Sequence, residues 1–374
     1  MLNMLGNLHL GLTGNYSQAL AYFEELECTE RELRNRYRVA AAQANAGIAR
    51  ALLGRHRRSQ EALAAALQTM IRVGDRNWQG IILHWQGVNH YELGDLAQAQ
   101  ATAEDALAIF RAVGDSNFEI EALRLLGQIA LARNEPEAAS DYFRQSVEVA
   151  QANQQTADQA VSQAYLAVAY LRLGRSAEAD RLSEQAVAML DSLGGELGHV
   201  REVHFGRYQV VAATEAPEAA WPYLERAYRV LQALAADIDD PDLRRSFLED
   251  VSENRVILTA YRLGRPPTVL HPYRQRVRLP RADAPTGRPL RDDEYVTVTW
   301  TVAAPEDDAI GGKVARRRHR LLRLLREAAD CAAAPTVPDL AMALGASTRT
   351  VERDLAALRA AGHDVRTRGA RRKR

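Results

Sequence analysis

Over the first two thirds of the chain, helix-like apolar segments are punctuated by turn residues at regular intervals. Gly14, Gly54, Gly94 and Gly174 fall on a period of about 40 residues, with Asn134 and Glu215 at or next to the missing steps. Gly74, Gly114 and Gly194 interleave at the same interval, in VGDRNW, VGDSNF and SLGGEL, so each unit has two turns and therefore two helices. Small residues recur where the helices of a pair touch: Gly47, Gly87, Gly127 and Ala167, answered by Ser59, Ala99, Ala139 and Ala179. Phe23, Phe110, Tyr142 and Phe143 fill the gaps. The pattern predicts a mostly α fold, an α-solenoid of helical hairpins over residues 1–236 whose last unit is weaker. Capping helices over 237–264 follow, opening at Asp240-Pro241 and closing the stack at Gly264.

From Arg265 the helical period stops. Residues 265–292 are dense in proline and arginine and read as a linker that holds a short strand at Val277 to Leu279. Tyr295 to Val302, YVTVTWTV, alternates with Val296, Val298, Trp300 and Val302 on one face and predicts a half-buried strand. Its partner is either Val277 to Leu279 or Asp364 to Thr367. Lys313 to Cys331 predicts a helix with Leu321, Leu322, Leu324 and Leu325 on its buried face. Thr336 then caps a helix that carries Pro338 and Asp339 in its first turn and ends at Leu344; Gly345 makes the turn. Ser347 caps a second helix that runs to Ala361 and is stopped by Gly362. Leu340, Ala341 and Leu344 face Val351, Leu355 and Leu358, while Thr348, Arg349, Glu352, Arg353 and Arg359 form the opposite, polar face.

The long unit resembles tetratricopeptide repeats, in the longer-period form of the sensor domains of bacterial signal-transducing ATPases of the maltose-regulator kind. Such a stack makes a concave groove lined by the first helix of each unit. Aligning the units on the small residue places His84, Tyr91, Arg124, Gln128, His204 and Tyr208 on that lining, a mixture suited to a protein, peptide or small effector. Met1 to Leu5 are apolar and already inside a first helix, as expected of a piece of a longer array. The missing part would be the nucleotide-binding domain of such sensors; no GxxxxGK[ST] loop occurs here and no ATPase is expected.

Thr336 to Gly362 resembles the helix-turn-helix of bacterial transcription regulators, most closely the winged DeoR type, through the run Thr350-Val351-Glu352-Arg353-Asp354-Leu355. The resemblance implies a domain over 293–374 that binds duplex DNA, with Ser347, Thr348, Arg349, Thr350 and Arg353 on the recognition helix. GHDVRTRGARRKR, with Arg366 and Arg368, is expected to form one wing strand ending in a basic tail. Arg316, Arg317, Arg318 and Arg320 crowd the start of the preceding helix against its dipole; phosphate contact, by Arg316 and Arg317 above all, and solvation of an exposed terminus both account for them.

Charge sharpens this division. Residues 1–264 hold 25 basic against 35 acidic residues and residues 265–374 hold 23 against 13, so a neutral chain hides an acidic scaffold and a basic module. No run of about 18 apolar residues spans a bilayer and no secretory start is present, so a cytoplasmic protein without membrane contact is expected. Cys28 and Cys331 make neither a disulfide framework nor a metal cluster. No HExxH, zinc-ligand pair or Gly-x-Ser-x-Gly elbow occurs, so neither enzyme activity nor a cofactor is expected. Two classes of function remain, a DNA-binding regulator governed by its repeats and a protein-binding adaptor. A two-fold operator would imply a homodimer, but no heptad specifies one.

Overall fold

The computed structural model describes residues 1–194, 197–215, 217–265, 273–285 and 288–368. It divides into two compact units, Met1–Pro266 and Pro267–Arg374. In the first, α1 (Leu2–Leu8) continues through a π-helical turn (His9–Thr13) and pairs with α2 (Tyr16–Glu32). Five hairpins follow: α3 (Arg36–Leu52) with α4 (His56–Val73), α5 (Arg76–Glu92) with α6 (Leu96–Val113), α7 (Ser116–Ala132) with α8 (Pro136–Ala152), α9 (Thr156–Arg172) with α10 (Ser176–Ser192), and α11 (Leu197–Thr214) with α12 (Pro217–Ala236).

The turns explain the regularity. Residues 14, 34, 54, 74, 94, 114, 134, 154, 174 and 194 all have φ between 57° and 79°. Glycine occupies most of these positions, and Asn134 tolerates the left-handed region better than most side chains. Arg34 and Gln154 complete the series without a glycine to announce them, while Glu215 falls outside it. The next residue then caps the following helix at five turns: Asn15, Asn35, Asp75, Asp95 and Asp115 each accept an amide hydrogen from the residue three positions on.

Close packing explains the small residues. A Cβ on Gly127 would lie 2.4 Å from the Phe143 ring, and one on Gly47 would lie 2.9 Å from Leu63 Cγ. Ser59, Ala99, Ala139 and Ala179, on the facing helices, are fully buried. First helices of successive hairpins also touch one another, α3 with α5, α5 with α7, α7 with α9 and α9 with α11, which sets them on the inner side of the curve. The superhelix closes on itself: Ser17 Oγ donates to the Asp237 carbonyl at 3.4 Å, and a Cβ on Gly14 would meet Leu234 at 2.6 Å.

Two more helices, α13 (Pro241–Glu249) and α14 (Ser252–Leu263), do more than cap the last hairpin. They turn back to the inner side. Ser246 Oγ donates to the Leu53 carbonyl at 2.6 Å, and Tyr165 and Arg201 reach Glu253. A stack after α12 would meet none of these residues.

The second unit starts with a two-stranded antiparallel sheet, β1 (Tyr273–Pro280) and β2 (Tyr295–Ala303), with Val277 opposite Val298. β1 is longer than the three residues expected, because Arg274, Arg276 and Arg278 alternate with Gln275, Val277 and Leu279, a strand pattern hidden inside an arginine-rich stretch. Three helices follow, α15 (Lys313–Asp330), α16 (Val337–Ala343) and α17 (Thr348–Ala360). Leu279, Val298, Trp300, Leu321, Leu324, Leu340, Val351, Leu355 and Leu358 form one core, and Trp300 Nε1 donates to the Leu324 carbonyl at 2.9 Å. The expected wing strand at Asp364 to Thr367 is not a strand; Val365 is instead buried in the core. The sheet precedes the helices and uses β1 as its partner. The basic tail, Gly369 to Arg374, lies outside the described residues.

Gly127→Ala tests the packing. Its methyl meets the Phe143 ring, so the variant should lose about 1–3 kcal/mol by chemical denaturation despite alanine's better helix propensity.

Candidate functional site

α16 and α17 are joined by a short turn at Gly345, φ 56°. Thr336 and Asp339 cap each other at the start of α16, and Ser347 Oγ accepts from the Thr350 amide at 3.2 Å at the start of α17. Val351, Leu355 and Leu358 are buried, which turns Thr348, Arg349, Glu352, Arg353 and Arg359 to solvent. Ser347 is exposed and Thr350 half-buried at the same end. The structure therefore brings together five of the expected contact residues on one helix end: Ser347, Thr348, Arg349, Thr350 and Arg353.

It does not leave the others free. Asp354, fully buried on α17, accepts from Arg317 Nε at 2.6 Å and Arg318 Nε at 3.1 Å. Burial pushes this carboxyl up, but the two arginines outweigh it and hold it below the usual carboxylate range. Asp307, in the 3-10 turn Pro305–Ala309, likewise receives Arg320 Nε at 2.7 Å and Arg323 Nη1 at 2.8 Å. Arg316 lies 3.7 Å from Asp308 and donates to the Ile310 carbonyl at 3.3 Å. The crowded arginines of α15 are thus paired within the unit, where they fasten α15 to α17 and to the turn before it. Arg368 is also spent, donating to the Ala284 and Pro285 carbonyls. Arg366 pairs with Asp364 at 2.9 Å and stays exposed.

In the solenoid the expected groove residues are mostly buried in packing. His84 stands edge-on to Trp85 and Phe118, and burial lowers its imidazole to about 4. Arg124 ties α7 to α9 through Asp158 at 2.9 Å. Tyr208 is 2% exposed and burial raises its phenol; His204 stacks on Tyr223. Gln128 and Tyr91 are half-buried, and burial raises the Tyr91 phenol. Repeat alignment alone could not say that α13 and α14 come back to this side.

What stands there is a polar cluster. Glu92 Oε2 accepts from the Ser252 amide at 2.9 Å and from Ser252 Oγ at 2.6 Å. Tyr165 donates to Glu253 at 3.3 Å, and Arg201 reaches Glu253 at 3.4 Å and Asn254 Oδ1 at 2.9 Å. His56 bridges the Asp250 carbonyl, 3.1 Å from its Nε2, and Asn89 Oδ1, 3.1 Å from its Nδ1. Asn89 in turn donates to Ser59 Oγ, and Ser59 to the Gly47 carbonyl, so the chain of bonds runs from the α13–α14 turn into α3. Burial, with repulsion from Glu202 added, raises the Glu253 carboxyl to about 7 in spite of Arg201. No signal in the sequence distinguishes Glu92 or Glu253 from the other acids of these helices.

Comparison with known proteins gives two family matches. Residues 78–152 match a tetratricopeptide repeat model. Residues 243–373, about a third of the chain, match DUF1670, a family described as proteins of unknown function. No curated protein matches the chain. Among solved structures it is similar to a Rap protein complexed with competence and sporulation factor, at 11% identity and a TM-score of 0.54, over 71% of this chain and 76% of that one. It is also similar to a signal-transduction ATPase with numerous domains and a tetratricopeptide repeat sensor, from Pyrococcus horikoshii, at 16% identity and a TM-score of 0.48, over 71% of this chain and 39% of that one. A Rap conjugation gene regulator of the plasmid pLS20, in complex with the Phr* peptide, matches at 16% identity and a TM-score of 0.47, over 70% and 73%. The chain thus carries tetratricopeptide repeats in an α-solenoid. Among the described residues no helix is long and apolar enough to cross a membrane.

Two substitutions probe the ionic fastenings. Asp354→Asn should cost the second unit about 2–4 kcal/mol, since it leaves Arg317 and Arg318 unmatched at a partly wet site. Asp354 is held below its ordinary 3.8, so the stability it supplies is present above pH 3.8 and is lost as pH falls through its lower native value; thermal melts of the two proteins should converge in acid. Glu253 has the opposite sign. Its folded value is raised from 4.5 to about 7, so its contribution is full below pH 4.5 and is lost as pH rises through 7. The melting temperature of the wild type minus that of Glu253→Gln should therefore fall across that window, and parallel curves would contradict it.

Proposed function

We propose that this protein is a DNA-binding regulator whose solenoid receives a protein, peptide or effector signal and whose helix α17 enters the major groove of a duplex. One observation carries the reading: α17 is capped, short and rigidly held, and its free face presents Thr348, Arg349, Glu352 and Arg353 together. Side chains of these types at a helix start suit base edges and phosphates. The excess of 23 basic over 13 acidic residues beyond residue 264 supports the same partner. The resemblance of residues 336–362 to the helix-turn-helix of DeoR-type regulators adds to this, though among the described residues no wing strand follows the recognition helix. Chemistry plays no part in the proposal.

A second reading, a protein-binding adaptor, is favoured by a specific fact: Arg316, Arg317 and Arg368 are engaged inside the unit, which leaves a smaller basic surface than the composition promises. The readings separate in one titration. Regulator function predicts that the full chain binds duplex DNA with an affinity that falls steeply with salt. Arg349→Ala and Arg353→Ala should each lose about 1–3 kcal/mol of binding while leaving the melt unchanged. An adaptor shows no duplex binding at physiological salt, and neither substitution matters.

A further inference from the structure

The sheet of the second unit leaves one edge of β1 half covered. The Arg281 amide donates to the Glu294 carbonyl at 2.9 Å, so alternate positions from Arg281 back through Leu279 and Val277 turn their backbone groups to β2. The positions between turn theirs the other way. There the Pro280 carbonyl accepts from the Ala334 amide at 2.9 Å and the Ala282 amide donates to the Ala332 carbonyl at 2.8 Å, around an antiparallel bridge of Arg281 with Ala333. Ala332 to Ala334 thus start a third strand, and Thr336 ends it by capping α16. Among the described residues, no backbone bond reaches the amide or carbonyl of Arg278, the next position on that edge.

A cleft of about 200 Å³ opens beside it, between β1 and α16. Val277, Leu279 and Trp300 line its apolar floor, Met342 stands on its helical side, and Arg278 and Asp339 mark its polar margin. Met342 is 78% exposed, and a flexible thioether adapts to the shape of whatever covers it. Asp339 is engaged as the cap of α16. On the outer face of the sheet, Arg274, Arg276 and Arg278 stand opposite Thr301, Thr299 and Thr297, so the rim of the half-covered edge is basic. Arg278 lies over the Tyr295 ring and pairs with Asp292 at 2.7 Å, an exposed contact that a second carboxylate can share.

We propose that this edge and cleft together bind an extended acidic peptide, one in which acids alternate with apolar residues. Residues directly opposite in a sheet share a face, so a residue bonded to the backbone of Arg278 sets its own side chain among the β1 arginines, where an acid suits it. Its neighbours turn to the other face, over Val277 and Met342, where an apolar side chain is covered. A second copy of β1 does not suit the place, because arginine would lie opposite arginine. The site uses none of the α17 residues, and the inference is independent of duplex binding.

The test uses the full chain and three acetylated, fluorescein-labelled peptides followed by anisotropy: Glu-Val-Glu-Val-Glu, its block isomer Glu-Glu-Glu-Val-Val, and Lys-Val-Lys-Val-Lys. The alternating acidic peptide should bind saturably and at least about 10-fold more tightly than either of the others. Met342→Asp puts a charge on the apolar side of the cleft and should weaken that peptide at least about 5-fold. Arg278→Glu should narrow the preference for the acidic over the lysine peptide by at least about 5-fold. Both side chains are exposed, so the thermal melts of the variants should match that of the wild type. Equal binding of the two acidic peptides, no saturable binding of the alternating one, or an unchanged result in either variant overturns the proposal. Should a variant melt lower, the ranking of the three peptides on the wild type decides.

Discussion

A carboxylate withdrawn from water must be matched, and Asp354 is the one on which the second unit turns. It lies on α17 next to Arg353, fully buried, and its two oxygens take the guanidinium groups of Arg317 and Arg318. That arrangement fixes the rotation of α17 about its own axis as firmly as its leucines do. With Asp354 facing α15, Arg349 and Arg353 have nowhere to go but outward. Asp307 does the same for the other side of α15, taking Arg320 and Arg323. A buried pair of this kind adds little net stability compared with an apolar contact, but a wrong register leaves charges stranded, so it selects one arrangement over its neighbours.

The first unit uses the same device on a different partner. Its hairpins are held by small residues against large ones and by a left-handed turn every half repeat, which needs no charge at all. Ion pairs between neighbouring helices add to this, Arg50 with Glu24, Arg111 with Glu119 and Arg207 with Asp180, and the inner side carries a cluster of its own. There Glu202 and Glu253 stand close to Arg201, and α14 takes its helix cap from Glu92 of the solenoid instead of from its own chain segment.

Much of this was legible in the residues. Glycine positions gave the hairpins, alternation in YVTVTWTV gave β2, and Thr336, Gly345, Ser347 and Gly362 gave α16 and α17 to within a residue or two. What was not legible depends on distant partners or on what packs beside a residue. Arg316, Arg317 and Arg368 look like free cations in a one-dimensional pattern, because an arginine's partner can lie 37 residues away, as Asp354 does from Arg317. β1 was disguised as linker since its outward positions are all arginine. His84, Arg124 and Tyr208 have the right spacing for a groove, but the depth of a side chain within a solenoid wall depends on what packs beside it. The return of α13 and α14 to the inner side is written in no local signal.

Amide hydrogen exchange of the full chain, with and without duplex DNA, tests most directly whether α17 is a DNA-reading helix. A regulator gains protection at residues 347–353 on adding duplex, with Arg317 and Arg368 unchanged because they already serve the fold. Protection confined to the solenoid, or none anywhere in the second unit, contradicts that role and leaves an adaptor.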